Sequence, residues 1–139
     1  MATEDARNFN WLLNSFVEET AGVHDAVAVS SDGVLMARSS TLDHAAGEQL
    51  CAIIAGCTSL ARAADQAVDG AGFERVIIAM REGFLFVSAI ADGSCLGVVA
   101  SRDCDVGSVG YQTTELVNRV GSLLTPALRA ELQQLASSG

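Results

Sequence analysis

Four thiols and two imidazoles are the most reactive side chains of this 139-residue sequence: Cys51, Cys57, Cys95, Cys104, His24 and His44. A Cys–His pair can supply a thiolate nucleophile when the imidazole takes the thiol proton, and Cys104 with His24 is the pair to consider. Neither histidine lies in a nucleophile signature, and no CxxC spacing marks a zinc or redox site. The thiols read as small buried hydrophobes of a reducing compartment. His44, in a first helical turn, is expected to stay neutral because a helix N-terminus disfavours a cation. The acids offer no stronger chemistry. Asp32 and Asp92 each precede a glycine and serve turns, Glu18-Glu19 reads as a solvated helix end, and Asp103 and Asp105 flank Cys104 where a helix begins and cap it. No cluster presents three or four convergent metal ligands, and no GxGxxG follows a strand. The expectation is a chain without a catalytic residue, a cofactor or a metal of its own.

All eight basic residues are arginine, at Arg7, Arg38, Arg62, Arg75, Arg81, Arg102, Arg119 and Arg129. Without lysine there is no P-loop cation for a nucleotide phosphate and no amine for a Schiff base. The formal charge of −9 repels nucleic acid and anionic membrane surfaces, and no basic cluster offsets it. No apolar run approaches the roughly 18 residues that cross a bilayer. Met1 to Asn8 is polar and acidic, unlike a signal peptide, so a soluble cytoplasmic protein is expected.

The elements that must position these residues alternate in period. Phe9, Leu12, Leu13, Phe16 and Val17 repeat at helical spacing from Asn8, a candidate cap, to Thr20, and Gly22 is a natural stop. Val23 to Ser30 and Val34 to Arg38 are strands around Ser31-Asp32-Gly33, where Asp-Gly predicts a type I′ hairpin turn. A long helix runs from Asp43 to Gly70. Phe73 to Met80, Phe84 to Ala91 and Ser94 to Ala100 then make an antiparallel meander joined by Arg81-Glu82-Gly83 and Asp92-Gly93. Val106, Val109, Leu116, Val117, Val120 and Leu124 mark a final helix, which restarts at Thr125-Pro126 with Thr as cap and Pro in first position. The order is α-ββ-α-βββ-α. It predicts one α+β domain over residues 1–139, with its core about 9–135 and frayed ends, built as three layers with helices on both faces of a five-stranded antiparallel sheet.

The long helix carries two different apolar surfaces. Leu50, Ile53, Ile54, Cys57, Leu60, Ala64 and Val68 form a stripe wide enough to cover the sheet. Beside it runs a ridge of small residues, Ala52, Gly56, Ser59 and Ala63, spaced four, three and four. Such a ridge admits another helix at close range, and reads equally as an ordinary solvated Ala-rich face.

Several local motifs in this order resemble the Roadblock/dynein-light-chain domain family, most closely its actinobacterial members that accompany small Ras-like GTPases. They are Ala21-Gly22-Val23-x-x-Ala26-Val27 leading to Ser30-Ser31-Asp32-Gly33; Ala91-Asp92-Gly93-Ser94-x-Leu96-Gly97-Val98-Val99; Val106-Gly107; and Leu124-Thr125-Pro126-Ala127-Leu128-Arg129-Ala130-Glu131-Leu132. The likeness spans about Phe9 to Leu135. Each motif is weak alone, and their shared order and spacing carry it. The resemblance implies a profilin-like three-layer fold with the middle helix on one face and the terminal helices on the other. It implies pairing, usually as homo- or heterodimers, through middle helices across a two-fold axis and through edge-aligned third strands. It also implies action on a Ras-like GTPase through the middle helices, without an inserted catalytic residue.

Mapped onto this sequence, the ridge Ala52, Gly56, Ser59 and Ala63 together with Phe73, Arg75 and Ile77 becomes the expected dimer interface. Glu48, Arg62 and Gln66 become the expected partner contacts. Arg62 is the one arginine on the long helix, and so the candidate for an arginine finger. The leading expectation is a non-enzymatic homodimeric regulator or scaffold of a small Ras-like GTPase. Two readings compete with it: a small-molecule sensor of related plan, which needs a pocket between sheet and helix, and a cysteine hydrolase, which needs one thiol of depressed pKa near a histidine.

Overall fold

In the computed structural model, which describes residues 2–137, a side-chain oxygen starts each helix. The Thr3 hydroxyl accepts from the Ala6 amide to open α1 (Glu4–Glu19). Asp43 accepts from Ala46 at 2.8 Å to open α2 (His44–Val68). Asp105 accepts from Ser108 at 3.0 Å at the head of α3 (Val106–Leu123). Thr125 accepts from Leu128 at 3.1 Å just before Pro126 begins α4 (Pro126–Ser137). Each bond satisfies an amide that has no partner inside its helix. The first start differs from expectation: α1 begins at Glu4, ahead of Asn8, because Ala6 joins Phe9 as a fully buried position and extends the apolar stripe by a turn. Ser138 and Gly139, part of the tail expected to fray, and Met1 lie outside the described residues.

Five strands, β1 (Val23–Val29), β2 (Leu35–Arg38), β3 (Arg75–Met80), β4 (Gly83–Ala89) and β5 (Cys95–Ser101), pair antiparallel in the order β2-β1-β5-β4-β3. The predicted sheet and element order both hold. Alternate residues feed two cores. Ala26, Ala28, Phe86, Leu96 and Val98 meet Phe9, Leu13, Val109, Leu116 and Leu132 from α1, α3 and α4. Val27, Val29, Leu35, Leu85 and Val87 meet Cys51 and Ile54 from α2. Gly97 makes the second contact possible, since a Cβ there would stand 2.4 Å from Ile54 Cδ1 and 3.1 Å from Val27 Cγ2.

The β1–β2 and β4–β5 connections are one design used twice. Ser30 N bonds Val34 O while Gly33 N bonds Ser30 O; Ile90 N bonds Ser94 O while Gly93 N bonds Ile90 O. Only the glycine of each turn has positive φ, +83° at Gly33 and +92° at Gly93. These are three-residue loops ending in a glycine bulge, and the type I′ turn predicted at Asp32-Gly33 does not form. The Asp32 side chain accepts the Ser30 hydroxyl, a local bond that suits a turn in which Asp32 keeps negative φ.

The sheet edges are unlike each other. α4 lies against β2, with Leu128 and Leu132 in one core and Ala136 against the other, so that edge is covered. No described strand pairs with the outer side of β3, whose Ile77 and Met80 are 44% and 46% exposed. The open edge is β3.

Candidate functional site: the outer face of the long helix

A helix of 25 residues has room for a sheet-facing line and an outer line, and α2 uses both. Its buried line is Gly47, Cys51, Ile54 and Thr58, spaced four, three and four. This corrects the predicted stripe. Of Leu50, Ile53, Ile54, Cys57, Leu60, Ala64 and Val68, only Ile54 is fully buried. Leu50 and Cys57 flank it half-buried, Ala64 is exposed, and Ile53, Leu60 and Val68 are 44%, 75% and 76% exposed. The helix is turned by about a quarter of a revolution from the orientation that its bulky residues suggested. Close approach is the cause: with Ile54 seated over Gly97, small side chains at Gly47, Cys51 and Thr58 bring the helix nearer the sheet than leucines would.

Ala52, Gly56, Ser59 and Ala63 are all exposed, on the side of α2 away from the sheet. A Cβ built on Gly56 meets nothing within 4 Å. The ridge therefore runs beside Ile53 and Leu60 as a continuous apolar outer face. Their bulk and spacing predict core positions, and the structure leaves them in solvent. The available signal was the stripe's width, greater than one helix needs against one sheet.

β3 follows through a wound connection. Asp69 and Ala71 have φ of 54° and 63°, and Asp65 Oδ1 accepts from Gly72 N at 2.7 Å. Phe73 is half-buried under the Arg62 guanidinium, which lies 6.0 Å from its ring centroid. Arg75 points to the other face of the sheet. It donates to Gly110 O at 2.9 Å and Thr114 Oγ1 at 2.7 Å, both on α3, and to Ser88 Oγ at 3.3 Å. Ile77 shares that face by strand alternation. The four ridge residues thus stand together on one face of α2, Phe73 packs under Arg62 against the core on that side of the sheet, and the Arg75 and Ile77 side chains lie on the opposite face.

The expected partner contacts are all exposed. Glu48 Oε1 lies 3.3 Å from His44 Nε2, which also meets Ala136 O at 3.0 Å. Arg62 Nη2 donates to Gly93 O at 3.1 Å, so its guanidinium is held against the β4–β5 turn and Phe73 instead of extending into solvent as a finger would. Beside it, a cleft of about 190 Å³ opens between α2 and the two glycine turns, lined by Ser30, Gly33, Thr58 and Cys95 among others. That is below the roughly 300 Å³ at which small-molecule sites begin, whereas an open cleft of about 590 Å³ between β3, β4 and α3, lined by Arg75, Ser88, Thr114 and Val117, is large enough, so the sensor reading keeps a candidate site there.

Three of the four thiols move away from nucleophilic behaviour. Burial lifts Cys51 and Cys95 to about 11, and burial with the Asp103 and Asp105 charges raises Cys104. Such thiols stay protonated at neutral pH, opposite to what a cysteine hydrolase requires. Among the described residues no three His, Cys, Asp or Glu converge as metal ligands, and no helix is long and apolar enough to cross a membrane.

The fold and this face define a three-layer α/β/α domain with one open sheet edge next to an exposed helix of small and apolar residues. The chain belongs to the Roadblock/LC7 domain family, whose sequence model matches residues 9–100. A Roadblock/LC7 domain from Streptomyces avermitilis is 30% identical, with a TM-score of 0.75 over 80% of this chain and 92% of its own. MglB from Myxococcus xanthus superposes with a TM-score of 0.79 over 90% of this chain and 96% of its own, at 13% identity. The gliding protein MglB from Thermus thermophilus gives 0.77 over 88% and 93%, at 14% identity. At those identities the two MglB likenesses show the shared fold. No curated protein matches the chain significantly.

Proposed function

We propose that this protein is a homodimeric, non-enzymatic regulator or scaffold of a small Ras-like GTPase in the cytoplasm, able to modulate its GTP hydrolysis. The observation that carries the reading is the solvent-exposed ridge Ala52, Gly56, Ser59 and Ala63, flanked by exposed Ile53 and Leu60. A lone domain leaves bulky apolar side chains beside small ones at a cost in water, and a second copy of α2 would cover both. The uncovered β3 edge would pair with its own copy in the same assembly, through the backbone of Phe73, Arg75 and Ile77. The GTPase follows from family membership and the bacterial association described above. Glu48, Arg62 and Gln66, at the margin of the paired helices, are its proposed contacts. Since Arg62 is already held by Gly93 and Phe73, the proposal gives it an orienting contact and no catalytic insertion.

The test uses the full chain. Light scattering gives the molar mass, and titration against a Ras-like GTPase from the same genome, loaded with GDP or with a non-hydrolysable GTP analogue, gives affinity for each state. A dimer that prefers one nucleotide state is expected. A strict monomer that binds neither state overturns the reading.

A further inference from the structure

The single tryptophan of this chain is 62% exposed, on the side of the sheet opposite α2. Trp11 stands between two clefts formed where α1 and α3 run side by side. One, of about 430 Å³, continues from Trp11 past Phe16 to Glu19 and Glu115; the other, of about 360 Å³, opens toward Asn8 and Leu123. Arg119 lines both. On α3, Glu115 and Arg119 stand one helical turn apart along the groove. Tryptophan and arginine are among the residue types that most often anchor protein interfaces. From Asn8 to Glu19 the groove runs about 16 Å along α1, the length of roughly three helical turns.

We propose that this groove is a second interaction surface, distinct from the α2 face, and that it takes an amphipathic helix of a partner protein with basic residues at one end. Shape and charge both point there. Two antiparallel helices with apolar side chains between them offer the seat that a third helix fills with residues at i, i+3, i+4 and i+7. Glu19 and Glu115 close one end of the groove, and neither forms an ion pair among the described residues. Their two carboxylates attract a cationic segment to that end, and the −9 of the whole chain repels an anionic lipid surface. The acidic end orients the incoming helix, and Trp11 supplies the exposed apolar seat above the buried Leu12 and Phe16.

Trp11 is its own reporter. A synthetic peptide of about 16 residues, long enough to hold a helix, carries leucines at i, i+3, i+4 and i+7 with lysines elsewhere. It is titrated into the 139-residue chain while Trp11 emission is followed. Two controls accompany it: the same composition scrambled, and the same pattern with glutamate in place of lysine. The expected result is a saturable blue shift with the basic amphipathic peptide alone, weakened tenfold or more by Glu19→Lys with Glu115→Lys. Glu74→Lys with Glu82→Lys, which changes net charge equally at exposed sites away from the groove, is expected to leave affinity within twofold. Equal response to the scrambled peptide, or equal loss in both double variants, overturns the proposal. So does a blue shift that grows with protein concentration alone, which would assign the groove to a second copy. Binding to a GTPase through α2 is measured separately, so either surface can fail without the other.

Discussion

Single atoms decide how close α2 comes to the sheet. Gly97 has no Cβ, and Ile54 Cδ1 occupies the space one would take. Ile54 is fully buried, so Gly97→Ala must turn its terminal methyl within a filled core, push the helix outward or drive Val27 off its rotamer. Overpacking of this kind costs about 1–3 kcal/mol, and a lower urea midpoint with an unchanged slope is the expected outcome. An unchanged midpoint would mean that the helix rides more loosely than its packing implies. Some residue roles were legible in the sequence because they are local. Asp105 and Thr125 precede helices by one position, and a cap needs only the amide three residues on. The roles of Arg62 and Arg75 were not legible. Each guanidinium finds a carbonyl more than thirty positions away, Gly93 for one and Gly110 for the other, and no spacing rule announces such a partner.

Among the elements, α4 is the one whose place depends most on distant contacts. Its N-terminal half is tied to the β4–β5 turn by Arg129 and Asp92 at 2.8 Å. Glu131 ties it to the start of α1, accepting from Thr3 N at 2.8 Å and from the Thr3 hydroxyl at 2.7 Å. The Thr3 amide, and then its hydroxyl, hold the Glu131 carboxyl below its ordinary value of 4.5. A carboxylate with a depressed folded pKa contributes stability that is fully present above its unfolded pKa and is lost as pH falls through the folded one. The wild-type protein should therefore lose more stability between about pH 5 and pH 3 than Glu131→Gln, by a small margin because the group is exposed. Urea midpoints of both proteins across that range check it, and parallel curves would remove Glu131 from the clasp. The restart at Thr125-Pro126 was readable from residue type, whereas the β2 edge that α4 covers was not. The rotation of α2 is hidden from the sequence for a related reason. Hydrophobic periodicity reports which positions are apolar, but it does not say whether a sheet or another chain covers them.

For the whole molecule the question is what covers the outer face of α2. Gly56 faces open space, so Gly56→Leu should leave the monomer fold intact and gain helix propensity of about 1 kcal/mol, while its bulk keeps two ridges apart. The expected outcome is a halved molar mass by light scattering with an undiminished circular dichroism spectrum per protomer, and a melting temperature that no longer rises with protein concentration. A variant that stays dimeric would move the interface away from the ridge. The element order, the antiparallel sheet, the caps at Asp105 and Thr125 and the family likeness were all determined by the sequence itself, because each rests on local periodicity or on motifs a few residues long. Tertiary structure alone decided which side of α2 meets the sheet, which sheet edge stays open, and that Trp11 stands clear of the core between α1 and α3. Those outcomes depend on how closely helices can approach the sheet. A missing Cβ on one strand sets that distance for a helix more than forty residues away.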